Sequence, residues 1–554
     1  MPDKYNKKTP SFHLVSEITH NFATRNSQHF YIFVAQHFHS TTTNMDNTYS
    51  LPGRMPRRKF LEMGIKGGVV MATTPALLSY LNSCGTFSTP PSSLDMDKAT
   101  LNKVIARALA RGGDFAEVYL ENRISRQIVM EESVFKSGLY GISQGAGVRV
   151  IAGEITGYAY TDEITEESLL RAAEVASYVA RSGQPGVPVD VAPQKRDSFI
   201  TVERPLAEIA DTRRIEVMER ANQAALDYDP RIKMASIDYY DQIRGRVIAN
   251  SEGLYLRDEL PHIFFIVQAM GEENGTRHMS RERTSAHSGF EHFDQEKPEE
   301  TARRAAREAI AMLDAEDAPA GIMDVVMENG WGGVLVHEAV GHPLEADSIA
   351  RGVGAFTGKV GQKVAADCFT MIDDGTLPNK RGTINFDDEG TQAQRNVLIK
   401  EGVLLGYMTD ILSAKQLNMA RTGNGRRESF RHIPIPRMTN TFIDKGSDKP
   451  EDILASTAKG IYVQSLSGGS VNSVTGMFNF TCREAYLIEN GRKTQPIKGA
   501  TLIGSCLEVI SNIDAVGDDL AFGPGICGKG QMAEVTAGQP TVRIRGINVG
   551  GSRG

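Results

Sequence analysis

No stretch in the body of this chain reaches the roughly 20 consecutive apolar residues that a membrane-spanning helix needs. Basic charge is not in excess either: 61 Lys and Arg stand against 68 Asp and Glu, for a net charge of -7. No stripe of arginine and lysine interleaved with aromatics is present, so the phosphate neutralisation on which nucleic-acid binding depends has no footprint and no nucleic-acid partner is expected. Cysteine is sparse. Cys84, Cys368, Cys482, Cys506 and Cys527 form no CxxC pair and no dense pattern, which excludes a disulfide-stapled scaffold. Each thiol therefore has to be read singly. What the chain has is length: 554 residues, 40% of them hydrophobic, exceed what one core usually holds, and two or three globular domains are expected.

Residues 1–54 are polar, without helical or strand periodicity, and are expected to be disordered or a mis-called extension ahead of a start at Met55. Residues 55–94 open on Arg57, Arg58 and Lys59, pass through Phe60 and Leu61, and continue into a weakly apolar stretch from Gly67 to Leu81. That is the order and size of a twin-arginine signal, followed by a linker. The run from Leu81 to Gly85 resembles a relaxed lipoprotein box in which Cys84 would carry lipid as an anchor. Export by the twin-arginine route, to the periplasm or as a membrane-anchored lipoprotein, is the expectation; a cytoplasmic location is the alternative.

The body divides into three regions. Residues 95–185 read as an N-terminal α+β domain: KATLNKVIARALARG is helical up to Gly112 and Gly113, DFAEVYLENRISRQIVMEES reads as strands, and a further strand pair turns at Gly153 and Glu154. Residues 186–318 read as a central α+β domain, with a helix over LAEIADTRRIEVMERANQAALDYDP and a closing helix, TARRAAREAIAMLDAED, whose acidic lead-in from Gln295 to Glu300 suits the helix dipole. Residues 319–554 are glycine-rich and strand-like. The fold class expected is α+β and multi-domain, with N-terminal mixed α/β layers followed by a β-rich C-terminal domain.

The chemistry concentrates in DVVMENGWGGVLVHEAVGHPLEADSIA. His337 and His342 lie five residues apart, and on a regular helix the second ring would point about 140° away from the first. Two remedies are available: Gly341 in a left-handed conformation with Pro343 pushing His342 out of the helix, or a one-residue bulge. Zinc in a catalytic site takes three protein ligands and keeps a fourth position for water, so one donor must come from elsewhere. Cys527, in the glycine-flanked loop FGPGICGKGQ, is the candidate, because its glycines let backbone amides approach the sulfur and favour thiolate. Cys368, Cys482 and Cys506 read as small buried residues. Glu345 and Asp347 are placed to accept a ring N–H from a ligating histidine. Arg426, Arg427 and Arg437 could bind a peptide backbone or a terminal carboxylate through two-point contacts, but structural ion pairs are the favoured reading.

HEAVGHPLEAD is similar to the HEAxGHxxE signature of the TldD/PmbA metallopeptidases, in which a cysteine follows much later. GNGRRESFRHIPIPRMTNTFI, GIYVQSLSGGSVNSVTGMFNF, EAYLIENGRKTQPIKGATLIGS and the run from GICGKGQ to the C-terminus also resemble TldD proteins, the metal-bearing branch, and the likeness begins near Asp114. The resemblance implies that His337, His342 and Cys527 hold Zn2+ and that Glu338 is the catalytic glutamate. It implies a C-terminal metallopeptidase domain acting on unfolded or short peptides by metal-activated water, within a homodimer or a heterodimer with a PmbA-like subunit. The export signal departs from the usual member, which looks cytoplasmic. Two alternatives remain: a catalytically weak or non-catalytic partner subunit of such a complex, and a thiol enzyme with Cys527 as nucleophile.

Overall fold

Two-residue turns with left-handed backbone join the longest strands into antiparallel hairpins. The computed structural model describes residues 32–34, 94–180, 184–472 and 474–551. In chain order its first strands are β1 (Ile32–Val34), β2 (Phe115–Glu131), β3 (Val134–Ala152), β4 (Ile155–Thr161), β5 (Val189–Pro193), β6 (Ile232–Asn250), β7 (Glu252–Glu273) and β8 (Thr276–Ala286). Glu132 and Ser133 turn β2 into β3, and Asn274 and Gly275 turn β7 into β8, all four at positive φ. The expected pair around Gly153 and Glu154 is β3 with β4.

These strands form one sheet in the order β1-β4-β3-β2-β6-β7-β5, with β8 also on β7. The two regions read from the sequence as separate α+β units thus share a continuous ladder, since β6 pairs antiparallel with β2 from Asn250 opposite Glu117 to Ser236 opposite Glu131. β1 lies within residues 1–54, where no structure was expected. It pairs antiparallel with Gly157 to Ala159 of β4 and so covers the edge of that strand. The twin-arginine segment from Arg57 to Leu81, and Cys84 with its expected lipid, lie outside the described residues. Among those described, no helix is long and apolar enough to cross a membrane.

Four helices cover the sheet. Lys98–Ala108 starts where the Asp97 carboxylate accepts the Thr100 N–H, and Glu166–Ser177 where the Thr165 hydroxyl accepts that of Ser168. Both pack over the β2, β3 and β4 end through Leu101, Val104, Leu169 and Ala173. Asp211–Leu226 and Pro298–Ala311 cover the β6, β7 and β8 end, the latter with proline at its start and Glu299 and Glu300 in its first turn. The helix expected from Leu206 begins only at Asp211. The buried Arg214 guanidinium donates to the carbonyls of Leu206 (2.8 Å) and Ile209 (2.5 Å), holding residues 206–208 as a separate 3₁₀ turn.

From Glu316 onward, a second eight-stranded sheet and a six-stranded sheet enclose one large apolar core. The segment from Gly330 to Leu344 is threaded into it, with Val334, Leu335, Val336, Ala339, Val340 and Leu344 all buried. The two halves of the chain meet across a layer of charge. Arg149 pairs with Glu117 (2.8 Å) and Glu389 (2.7 Å), Arg246 with Asp388 (2.7 Å), and Arg427 with Glu117. Arg427 and Glu117 are fully buried, so each depends on the other for its solvation. Arg427→Met leaves the Glu117 charge short of a partner and is expected to destabilise the chain by about 3–5 kcal/mol, read as a lower urea midpoint. An unchanged midpoint would show that water reaches this layer.

Candidate metal centre

Five residues separate His337 from His342, and the backbone closes that gap by widening one turn. The N–H of His342 donates to the carbonyl of His337, an i→i+5 bond, and residues His337–Gly341 form a π-helical turn. Gly341 is not left-handed, as one of the two expected remedies required: its φ is -57°, and the chain continues as a 3₁₀ turn over His342–Leu344. The bulge is the remedy observed. Glycine is needed at 341 for a different reason, because a Cβ there would stand 2.1 Å from the Met438 sulfur. The imidazole centroids come within 5.4 Å, nearly perpendicular at 83°.

Cys527 reaches the pair from strand Ala521–Gly528, which is paired antiparallel with Met532–Gln539. Its Sγ lies 3.2 Å from His337 Nε2 and 3.1 Å from His342 Nε2. The three donor atoms all lie within 4.8 Å of one another, and all three residues are buried. Gly523 and Gly525 have a purpose other than bringing amides to the sulfur: a Cβ on either would come within 2.8 or 2.9 Å of the Trp331 ring, so they make room for that indole. Charge on the thiol comes from the imidazoles. Burial resists ionisation, but His337 and His342 hold the Cys527 thiol well below its ordinary range.

Behind the trio, Glu345 Oε2 accepts from His342 Nδ1 at 2.8 Å, which fixes the ring with Nε2 facing the sulfur. Burial opposes the Glu345 charge, yet His342, Lys529 and Arg437 hold its carboxyl at about 2. Burial likewise opposes the His342 charge, and Glu345 and Cys527 carry it well above the ordinary histidine range. Imidazole and thiol thus favour each other's charged forms, and a metal binding there would compete with the protons they hold. Glu338 stands at the edge of the trio, its side chain 22% exposed and Oε2 3.5 Å from His342 Nε2. Burial raises its carboxyl above the usual range.

Asp347 does not serve an imidazole; it pairs with Lys529 at 2.6 Å and Arg351 at 3.6 Å. Two residues that sequence reasoning gave no role here shape the centre. Lys529 Nζ lies 3.0 Å from Glu345, and Arg437 donates to the carbonyls of Cys527 (2.7 Å) and Gln531 (2.6 Å), fixing the turn that carries the thiol. Lys529 was within reach of the text, since it lies two residues after Cys527 and so on the same side of an extended chain. Arg426 donates to the Met438 carbonyl at 2.5 Å, and Arg427 belongs to the charged layer between the halves. Cys482 and Cys506 are buried as expected, whereas Cys368 is exposed.

Two imidazoles and a thiolate with converging nitrogen and sulfur atoms, one imidazole oriented by a carboxylate, fit a zinc ion that keeps one position open. Glu345→Gln removes the orienting charge and is expected to weaken metal affinity by about 10–100-fold, measured by competition with a chromophoric chelator. Unaltered affinity would leave Glu345 only a structural part.

The comparisons with known proteins agree along the chain. The PmbA/TldA metallopeptidase domain 1 matches residues 116–180, the central domain 204–313, and the C-terminal domain 320–551. The metalloprotease TldD homolog of Haemophilus influenzae is 39% identical over 489 residues, covering 85% of this chain and 100% of its own. The zinc metalloprotease TldD homolog of Saccharolobus solfataricus is 26% identical over 454 residues, covering 81% and 99%. The fold is shared with the crystal structure of TldE from Thermococcus kodakarensis, at a TM-score of 0.67 and 19% identity, over 81% of this chain and 99% of that one. With three consecutive domains matched and a relative of this identity covered end to end, the chain belongs to the PmbA/TldD metallopeptidase family.

Proposed function

We propose that this chain is a zinc-dependent peptidase acting on unfolded or short peptides, with His337, His342 and Cys527 as metal ligands and Glu338 as general base. The observation that carries the reading is the convergence of three donor atoms within 4.8 Å, with a solvent-reachable carboxylate beside them. Zinc bound there supplies a Lewis acid that polarises a peptide carbonyl and makes water acidic. Glu338 accepts the proton that water loses as its oxygen bonds to the carbonyl carbon. It then returns that proton to the amine nitrogen as the carbon–nitrogen bond breaks. Glu345 keeps His342 in the tautomer whose Nε2 is free to donate electrons, and Arg437 holds the Cys527 backbone in place. Membership of a metallopeptidase family and the zinc in one relative's name support the reading. The likeness of fold to TldE supports a second subunit of this family as its partner, either a PmbA-like chain or another copy.

Metal removal tests the chemistry. Dialysis against a chelator is expected to abolish hydrolysis of short unstructured peptides, and stoichiometric zinc to restore it. Hydrolysis that survives chelation but is lost to thiol alkylation would replace the metal mechanism with nucleophilic attack by Cys527. A chain that takes up no zinc at all would point to the non-catalytic partner role.

A further inference from the structure

The strand that carries Cys527 also borders a second concentration of charge. A cavity of about 470 Å³ lies between β8, helix Pro298–Ala311 and the start of strand Ala521–Gly528. Trp331, the chain's single tryptophan, stands in its wall, in the trough left by Gly523 and Gly525. Alternation along the strand puts those glycines on the same face as Cys527. From Pro524, at the cavity, to Cys527 is three residues, roughly 10 Å of extended chain.

Several of the cavity's charges are matched within it. Arg307 grips Glu484 through two bonds of 2.8 Å, and Arg483 pairs with Glu282 and, at 2.9 Å, with Glu308. Burial lifts the Glu308 carboxyl to about 8, so it contributes little negative charge at neutral pH. Glu296 is exposed to solvent, and Glu328, also in the lining, has its carboxyl raised by burial and faces Lys493, Arg307 and Tyr462. Among the described residues, four cations of the lining make no ion pair with a carboxylate: Arg281, which is exposed, and Arg283, Lys380 and Arg381. Arg283 forms no hydrogen bond or ion pair among the described residues, and its guanidinium lies 4.0 Å over the Trp331 ring. Burial and Arg483 lower it to about 10 against the opposing pull of Glu282, whose carboxylate is engaged by Arg483, and it stays charged at neutral pH. Arg381 is buried and directs its donors at neutral acceptors: Gly525 O (2.8 Å), His262 Nε2 (2.6 Å) and Ser285 Oγ (2.5 Å). The Glu534 carboxylate beside it is already shared by His262 (3.0 Å) and His287 (2.9 Å). Lys380 lies 5.3 Å from the Phe522 ring and makes no ion pair among the described residues.

Guanidinium groups withdrawn from water without a counter-charge are costly, and a carboxylate entering the cavity would restore the missing partner through a planar, two-point contact. We propose that this cavity binds a carboxylate of the peptide substrate, its chain terminus or an acidic side chain, through Arg283, Lys380 and Arg381. So anchored, the peptide runs along strand Ala521–Gly528, with its carboxylate about three residues from the ligand trio. The proposal rests on the peptidase reading for the nature of the ligand, and it adds a preference for acidic peptides.

Calorimetric titration of the full chain tests it without turnover. The probes are acetylated tetra-alanine with a free carboxylate, the same peptide as its amide, and the amide with one alanine replaced by glutamate. At least one acidic probe is expected to bind about tenfold more tightly than the neutral amide, and to change the emission of Trp331. A free-acid preference identifies the chain terminus, and a glutamate preference the side chain. Arg283→Gln should reduce the acidic probes to the affinity of the amide, and the solvent-exposed Lys380→Gln should weaken them by a smaller factor without touching the fold. Equal affinity for all three probes, including no measurable binding of any, overturns the proposal, as does an undiminished preference in both variants. Since zinc-dependent hydrolysis is assayed separately, its absence would sink the peptidase reading while this measurement stood on its own.

Discussion

Glu338→Gln is expected to lower the rate of peptide hydrolysis by about 10²–10⁴-fold while leaving the zinc content at one per chain. The amide keeps the size of the side chain and one acceptor oxygen, but it cannot take a proton from water near neutral pH. Glu338 is not one of the three converging donors, and its Oε2 lies 3.5 Å from His342 Nε2. Metal occupancy should therefore be indifferent to the change, and the loss should fall on kcat more than on KM. Turnover of a short peptide and elemental analysis of the same sample give both numbers. Full turnover in the variant would remove Glu338 from the chemistry, and loss of zinc would make it a ligand instead of a base.

Cys527→Ala is expected to empty the site. The thiolate is the one donor from outside the short helical segment, contributed by a strand nearly two hundred residues further along the chain. Without it the two imidazoles are left to bind alone, and an anionic ligand that neutralises half the charge of the ion is gone. Loss of supporting residues around a metal already costs about 10–100-fold in affinity, and loss of a ligand should exceed that. Zinc should be undetectable after gel filtration, and hydrolysis absent even in zinc-replete buffer. Stoichiometric zinc with turnover intact would mean that another donor closes the set, and the assignment of the thiol would fail.

Much of the N-terminal half was legible because its rules are local. The helical run from Lys98 stops ahead of Gly112 and Gly113, and the turn at Gly153 and Glu154 stands between two alternating runs. The join between the first two regions was not, since β2 and β6 find each other across more than a hundred residues and neither run names its partner. The histidine spacing stated a geometric conflict without choosing its solution. What favours glycine in the widened turn is Met438, far along the sequence, whose sulfur occupies the place of a Cβ at 341. Glu345 was visible as a supporting carboxylate by its nearness to His342, whereas Arg437 acts through the backbone of Cys527, a contact that only tertiary structure creates.

The shared ladder of β2 and β6 also governs how the gene can be dissected. A cut placed between the first two matched domains, however well it respects the text, would strip a long strand of its neighbour on both fragments. Each piece would then carry a bare hydrogen-bonding edge seeking any other strand, and self-association would follow from expression of either alone. Residues from Leu94 to Ala311, which include the helix that covers β6, β7 and β8, are thus best regarded as one inheritable unit, to be moved or exchanged among relatives whole.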